Sequence, residues 1–178
     1  TMLKQFSTFI FLFLAIALAN SQAQTYTYNT GTTWQNSTVN GTWTQGGGAT
    51  GYPGVSANNG DVTLSPSSAL TFTDAPPVFA ISSLTMSGTQ PVTLGLGTLT
   101  ITNAFTLNAG ATLNIPAGTT VVVNGTSTIA GTINLQTATS KIIFNGAVTQ
   151  SGSGVITAAA AGSTVQLGAS VTSLSEIG

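Results

Sequence analysis

The sequence predicts an all-β chain, a right-handed parallel β-helix with three short strands per coil. Three observations carry that prediction: charge is almost absent, threonine, asparagine and glycine supply the polarity, and apolar triplets recur at one common spacing. Of 178 residues only Lys4, Lys141, Asp61, Asp74 and Glu176 are charged, while 42% are hydrophobic. That apolar content is too high for a disordered chain. A surface helix normally stays soluble through Glu and Lys, which are missing, whereas Thr, Asn and Gly are strand and turn residues.

The same arithmetic excludes functions. The chain has no His and no Cys. A disulfide framework, a thiolate nucleophile and a histidine base therefore have no side chain to build on, and no cofactor or catalysis is expected. Nucleic acid is excluded as a partner, because phosphate binding needs several Lys or Arg on one face.

At the N-terminus Lys4 precedes an apolar run from Phe9 to Ala19, and Ser21 and Ala23 are small residues at the positions a signal peptidase reads. Residues 1–23 are the pattern of a secretory signal peptide. The run of 11 residues is short of the roughly 20 that cross a membrane. Cleavage after Ala23 would leave Gln24 as the first residue, with no Cys for a lipid anchor. The expectation is a secreted or cell-surface product with no membrane span. Thr1 before Met2, and Glu176-Ile177-Gly178 in mid-pattern, suggest part of a longer reading frame.

Residues 24–61 show no period and hold Tyr26, Tyr28, Trp34, Trp43 and Tyr52. The stretch is expected to cap the coil, since an open solenoid end would show strand edges and apolar core to water. Tyr52-Pro53-Gly54 and Asn58-Asn59-Gly60-Asp61 are turn signals before Val62-Thr63-Leu64. Trp34, Trp43 and Tyr52 have a second reading as a stacking platform for carbohydrate. A platform needs exposed rings in line, and a cap needs buried ones.

Residues 62–178 are expected to be rungs. Leu70-Thr71-Phe72 and Val78-Phe79-Ala80-Ile81 read as an incomplete first one. From residue 84 the triplets sort into three columns. The first holds Leu84-Thr85-Met86, Phe105-Thr106-Leu107, Ser127-Thr128-Ile129, Ala147-Val148-Thr149 and Val171-Thr172-Ser173, spaced by 21, 22, 20 and 24. The second holds Val92-Thr93-Leu94, Leu113-Asn114-Ile115, Ile133-Asn134-Leu135 and Val155-Ile156-Thr157. The third holds Leu99-Thr100-Ile101, Val121-Val122-Val123, Ile142-Ile143-Phe144 and Val165-Gln166-Leu167.

A shared period of about 21 to 22 residues is what three strands per turn would write. Within a triplet the outer two residues point inward and the middle one outward. Gly97, Gly110, Gly118, Gly125, Gly131, Gly146 and Gly154 fall between triplets, at the corners. The alternative is an antiparallel sandwich of about a dozen strands, which three-residue strands are too short to stabilise.

Tyr26-Thr27-Tyr28, Trp34, Trp43, Pro53-Gly54 and Gly60-Asp61-Val62, leading into Thr- and Gly-rich short strands, resemble the start of large secreted cell-surface proteins of Bacteroidetes-type bacteria. That resemblance implies a pectin-lyase-like parallel β-helix of the adhesin or autotransporter-passenger kind. Such proteins often end in a sorting domain read by the type IX export system, which this sequence does not contain.

The remaining chemistry is sparse. Asp61 and Asp74 are the one carboxylate pair to consider for glycoside hydrolysis, which needs two carboxyl groups within about 5 to 10 Å. The simpler expectation is that Asp61 serves a turn and Asp74 ends a strand. Calcium repeats need Asp in the rungs, and Gly46-Gly47-Gly48 lacks the Lys and helix of a phosphate loop. Asn36, Asn40 and Asn124 begin matches to the N-glycosylation pattern, which short Thr- and Asn-rich runs produce by chance.

Two surface features remain. Stacked Thr85, Thr106 and Thr128 would form a hydroxyl ladder able to face ice or a crystalline polysaccharide. Val122 and Ile143 are apolar at outward positions, which marks either a contact or a local slip of register.

The expected function is an exported structural or adhesive cell-surface scaffold, partnered by a polysaccharide or another surface protein. Alternatives are a carbohydrate-binding or polysaccharide-active β-helix with its active rungs downstream, and an ice-binding Thr surface.

Overall fold

The computed structural model describes residues 23–35, 41–47, 49, 51–54, 59–72, 74, 78–95 and 97–168. Residues 1–22 of the expected signal peptide, and the triplet Val171-Thr172-Ser173, lie outside them. Strands in chain order are β1 (Thr25–Tyr28), β2 (Trp43–Gly46), β3 (Asp61–Leu64), β4 (Leu70–Phe72), β5 (Val78–Met86), β6 (Pro91–Leu94), β7 (Thr98–Leu107) and β8 (Thr112–Ile115). They continue as β9 (Thr120–Val123), β10 (Thr126–Ile129), β11 (Thr132–Leu135), β12 (Lys141–Phe144), β13 (Val148–Gln150), β14 (Val155–Ala158) and β15 (Thr164–Leu167). No helix occurs among the described residues, and the strands stack as a β-solenoid of about five turns.

Three faces run along the coil. The first stacks β1, β3, the C-terminal halves of β5 and β7, then β10 and β13. The second stacks β4, β6, β8, β11 and β14. The third stacks the N-terminal halves of β5 and β7, then β9, β12 and β15. In β5 and β7 the strand runs from the third face into the first through an irregularity between Ile81 and Ser83. Among the described residues every pairing is parallel except that of β1 with β2. The sandwich alternative is thereby overturned.

Alternation sends most of the predicted side chains inward, while Leu167 in β15, expected inward, is exposed where no further described strand stacks on it. On the third face the core stack is Leu99, Val121 and Ile142 on one line and Ile101, Val123 and Phe144 on the next, all completely buried. On the second face Leu113 and Ile133 continue it. Each of these residues stands in register with its equivalents in the neighbouring rungs, so burial of one rung is completed only by the next.

Two of the expected triplets are shifted by one residue. Ser127 pairs with Val148, not Ala147, and Ile133 pairs with Ile156, not Val155. The reason is burial. Val148 packs against the core while Ala147 is exposed, and Ile156 is fully buried with Thr157 turned outward. The expected register would have pushed the Thr157 hydroxyl into the core and Ile156 into water. The parallel stack also begins earlier than the loss of period suggests, because β1 already pairs with β3. Asp61 is the first residue of β3 rather than a turn residue.

The corners repeat as regularly as the strands. Where the third face meets the first, the Asn103 side-chain amide donates to the Ser82 hydroxyl (3.0 Å) and that of Asn145 to Asn124 Oδ1 (2.8 Å). The chains approach so closely there that a Cβ at Gly125 would lie 1.4 Å from the Asn103 carbonyl oxygen, and one at Gly146 would lie 2.0 Å from the Gly125 oxygen. Between the second and third faces, four-residue turns starting at Pro116, Thr137 and Ala160 stack on one another. The Ser140 hydroxyl donates to the Pro116 carbonyl (3.1 Å) and the Ser163 hydroxyl to the Thr137 carbonyl (2.8 Å). Each hydroxyl thus ties a turn to the one in the preceding rung.

Three stability measurements check this account. Gly125→Ala should destabilise the protein by about 3 kcal/mol, because backbone rather than a flexible side chain blocks the Cβ. Gly118→Ala should lose only about 1 kcal/mol, since its site has a φ of +70° and nothing within 4 Å. Chemical denaturation distinguishes them. Ser127 occupies an inward position with its hydroxyl buried and unpartnered. Ser127→Ala should therefore raise stability by about 1 kcal/mol in the same assay.

Candidate functional site

The first face carries the most regular surface. Register places Thr27, Thr63, Thr85, Thr106, Thr128 and Thr149 one above another on consecutive strands. The expected trio Thr85, Thr106 and Thr128 is the middle of this line of six. Beside it runs a second outward line, Thr25, Asp61, Ser83, Ala104 and Thr126. All its members are short. The Ser83 hydroxyl donates to Asp61 Oδ1 at 2.7 Å, which ties down the one charge on the face.

The equivalent middle positions of the other faces are mixed. On the second face they are Thr71, Thr93, Asn114, Asn134 and Thr157. The Asn114 side-chain amide donates to the Thr93 hydroxyl (3.3 Å) and that of Asn134 to Asn114 Oδ1 (3.1 Å). On the third face they are Ala80, Thr100, Val122, Ile143 and Gln166. Val122 and Ile143 do face outward and are half-buried, with no slip of register, because Val121, Val123, Ile142 and Phe144 hold the core.

The N-terminal aromatics form a plug. Trp34 and Trp43 are both at 0% exposure, with ring centroids 4.8 Å apart and edge-on. Phe72 lies 5.0 Å from Trp34 and 5.7 Å from Trp43, and Phe79 lies 5.3 Å from Trp34. The Trp34 indole donates to the Pro53 carbonyl (2.9 Å), and the Trp43 indole to the Trp34 carbonyl (2.8 Å). Polar handles and apolar rings are satisfied together. Neither tryptophan presents a face to a sugar, and Tyr52 is half-buried against the core. The carbohydrate platform of Trp34, Trp43 and Tyr52 thus gives way to a cap reading, because the rings that would stack on sugar are the ones closing the coil. The antiparallel β2 covers the edge of β1 at the same end.

Asp74 fastens this plug. Its two carboxylate oxygens accept from the backbone N–H groups of Trp34 (2.7 Å) and Gln35 (3.0 Å). It stands past the end of β4, as a clamp on a segment some 40 residues earlier in the chain. Sequence reasoning had no signal for that long-range role. Asp61 and Asp74 are each committed to a different neighbour, Ser83 and the Trp34-Gln35 backbone. Among the described residues no group of three or more His, Cys, Asp or Glu could hold a metal ion. No helix of the described residues is long and apolar enough to cross a membrane.

A cleft of about 310 Å³ lies beside the plug, between the segment after β1 and the β3–β4 connection. Tyr28, Thr30, Thr32, Ser65, Ser67 and Ser68 give it a neutral, hydroxyl-rich lining. The Tyr28 hydroxyl donates to the Gly31 carbonyl at 3.1 Å, and burial pushes its phenol above the usual 10. It stays protonated. No family model matches the chain, nor does any curated protein or solved structure.

A buried plug predicts a specific loss. Trp34→Ala should lower stability by about 3 to 5 kcal/mol, removing a large buried ring and leaving the Pro53 carbonyl without the indole N–H that bonds it. Fluorescence supplies the second readout. The native emission should be blue-shifted and insensitive to iodide, and a red-shifted, readily quenched emission would contradict the plug.

Proposed function

We propose that the protein is an exported structural scaffold of a bacterial cell surface, a stalk or adhesin segment built as a capped rod of stacked rungs. The observation that carries this reading is the uninterrupted parallel stack, closed at its N-terminal end by the Trp34–Trp43–Phe72 plug. Rungs joined only to their neighbours extend as a stiff rod, advancing by about 4.8 Å each. Such a rod can hold a contact surface away from the cell. Its outward residues are short and mostly neutral, so contact with a polysaccharide or another surface protein would rest on hydroxyl and amide groups.

The N-terminal apolar run supports export. The aromatic and Thr-rich pattern supports membership among the secreted surface proteins of Bacteroidetes-type bacteria with a pectin-lyase-like β-helix. We assign no catalytic step to it.

Expression of the chain in a Gram-negative host, followed by N-terminal sequencing of the exported fraction, tests the reading. The expected product begins at Gln24. Retention of the chain inside the cell with residues 1–23 still attached would contradict it.

A further inference from the structure

We propose that the first face is an ice-binding surface, with the threonine line Thr27, Thr63, Thr85, Thr106, Thr128 and Thr149 as its contact. The inference goes beyond the scaffold reading and does not depend on export.

Composition alone does not produce this line. The chain is rich in threonine, yet the corresponding line on the second face carries Asn114 and Asn134, and that on the third carries Ala80, Val122, Ile143 and Gln166. Good β-propensity acts equally on all three faces. Only the first face holds threonine at every described strand of its stack.

The geometry selects a crystalline partner. Stacked strands repeat at about 4.8 Å, so the hydroxyl and methyl groups form a row with a fixed translational period. Threonine is stiff at χ1, so little side-chain freedom is lost when that row meets a rigid lattice. A single hydroxyl contact to ordered water is weak. A row of six acts as one multivalent contact, because after the first match the others are already in place.

Charge would spoil the match, since an ionised side chain keeps its own hydration shell. On this face the one carboxylate, Asp61, is held by Ser83. The second line adds only Thr25, Ser83, Ala104 and Thr126 beside it, so no long side chain lifts a flat partner away. Neither line contains an aromatic ring for a sugar to stack on, which favours ice over crystalline polysaccharide.

Slow freezing of the purified protein onto a cooled probe, with thermal hysteresis measured alongside, tests the proposal. The protein should enter the ice and produce hysteresis. The double variant Thr85→Lys, Thr106→Lys should enter the ice about tenfold less, as expected when a multivalent row is interrupted. Its circular dichroism should be unchanged. Thr128→Lys, at an exposed position, should also lower uptake and serves if the double variant fails to fold. Thr93→Lys on the second face should leave uptake unchanged. Exclusion of the native protein from ice would overturn the proposal, as would an equal loss in Thr93→Lys. Retention on crystalline cellulose or chitin without any ice response would overturn it too, and would reassign the face to polysaccharide.

Discussion

The structure depends on one constraint: a rung of about 21 residues cannot bury its own inward side chains. Val121 and Val123 need Leu99 and Ile101 on one side and Ile142 and Phe144 on the other before any of them is out of water. Backbone groups obey the same rule, since each strand satisfies its N–H and C=O groups on the strands before and after it. Ordering one rung alone would therefore lose more chain entropy than its half-made contacts return. Stability accumulates along the axis, and the end needs a device of its own.

That device is the aromatic plug. Trp34, Trp43 and Phe72 fill the end of the coil, while β2 pairs with β1 in the antiparallel sense and covers its edge. Asp74 joins the plug to the rungs by holding the Trp34 and Gln35 amides. At the corners the constraint is steric. Close stacking of backbones leaves no room for a Cβ at Gly125 or Gly146, and the Asn103, Asn124 and Asn145 amides occupy the outside of the same bend. Regular inner packing and regular outer lines are consequences of the same register, which is why the threonine row is straight.

Much of this was legible in the sequence because period two within a strand and period 21 to 22 between strands both write themselves into apolar spacing. The register of the third column, from Leu99 to Leu167, was legible residue for residue, although Leu167 at its end is exposed rather than inward. Two slips by one residue arose where the triplet offered competing apolar residues. At 155–157 both Val155 and Ile156 were available, and the larger one took the core. At 147–149 an alanine stood where valine was needed. Of the corner turns at Pro116, Thr137 and Ala160 only the first was marked, by Gly118, since what ties them together is a serine hydroxyl bond between rungs rather than hydrophobicity. The parallel pairing of β1 was also hidden, because the long excursion through Trp34 and Trp43 interrupts the period. Of the candidate sites, the threonine row was half legible. Its members Thr27 and Thr63 lie before the period becomes visible, and Thr149 had been placed in an inward position by the slipped triplet.

In-register parallel stacking is the central claim, and electron-spin distance measurement tests it most directly. The chain has no native cysteine, so paired Cys substitutions at the outward threonines label cleanly. With one label at Thr27 and the second at Thr106, Thr128 or Thr149, the partners are three, four and five strand steps apart. Stacking requires the distance to rise by about 4.8 Å per step, with Thr27 and Thr149 about 24 Å apart. Distances that fail to rise with step number would contradict the solenoid.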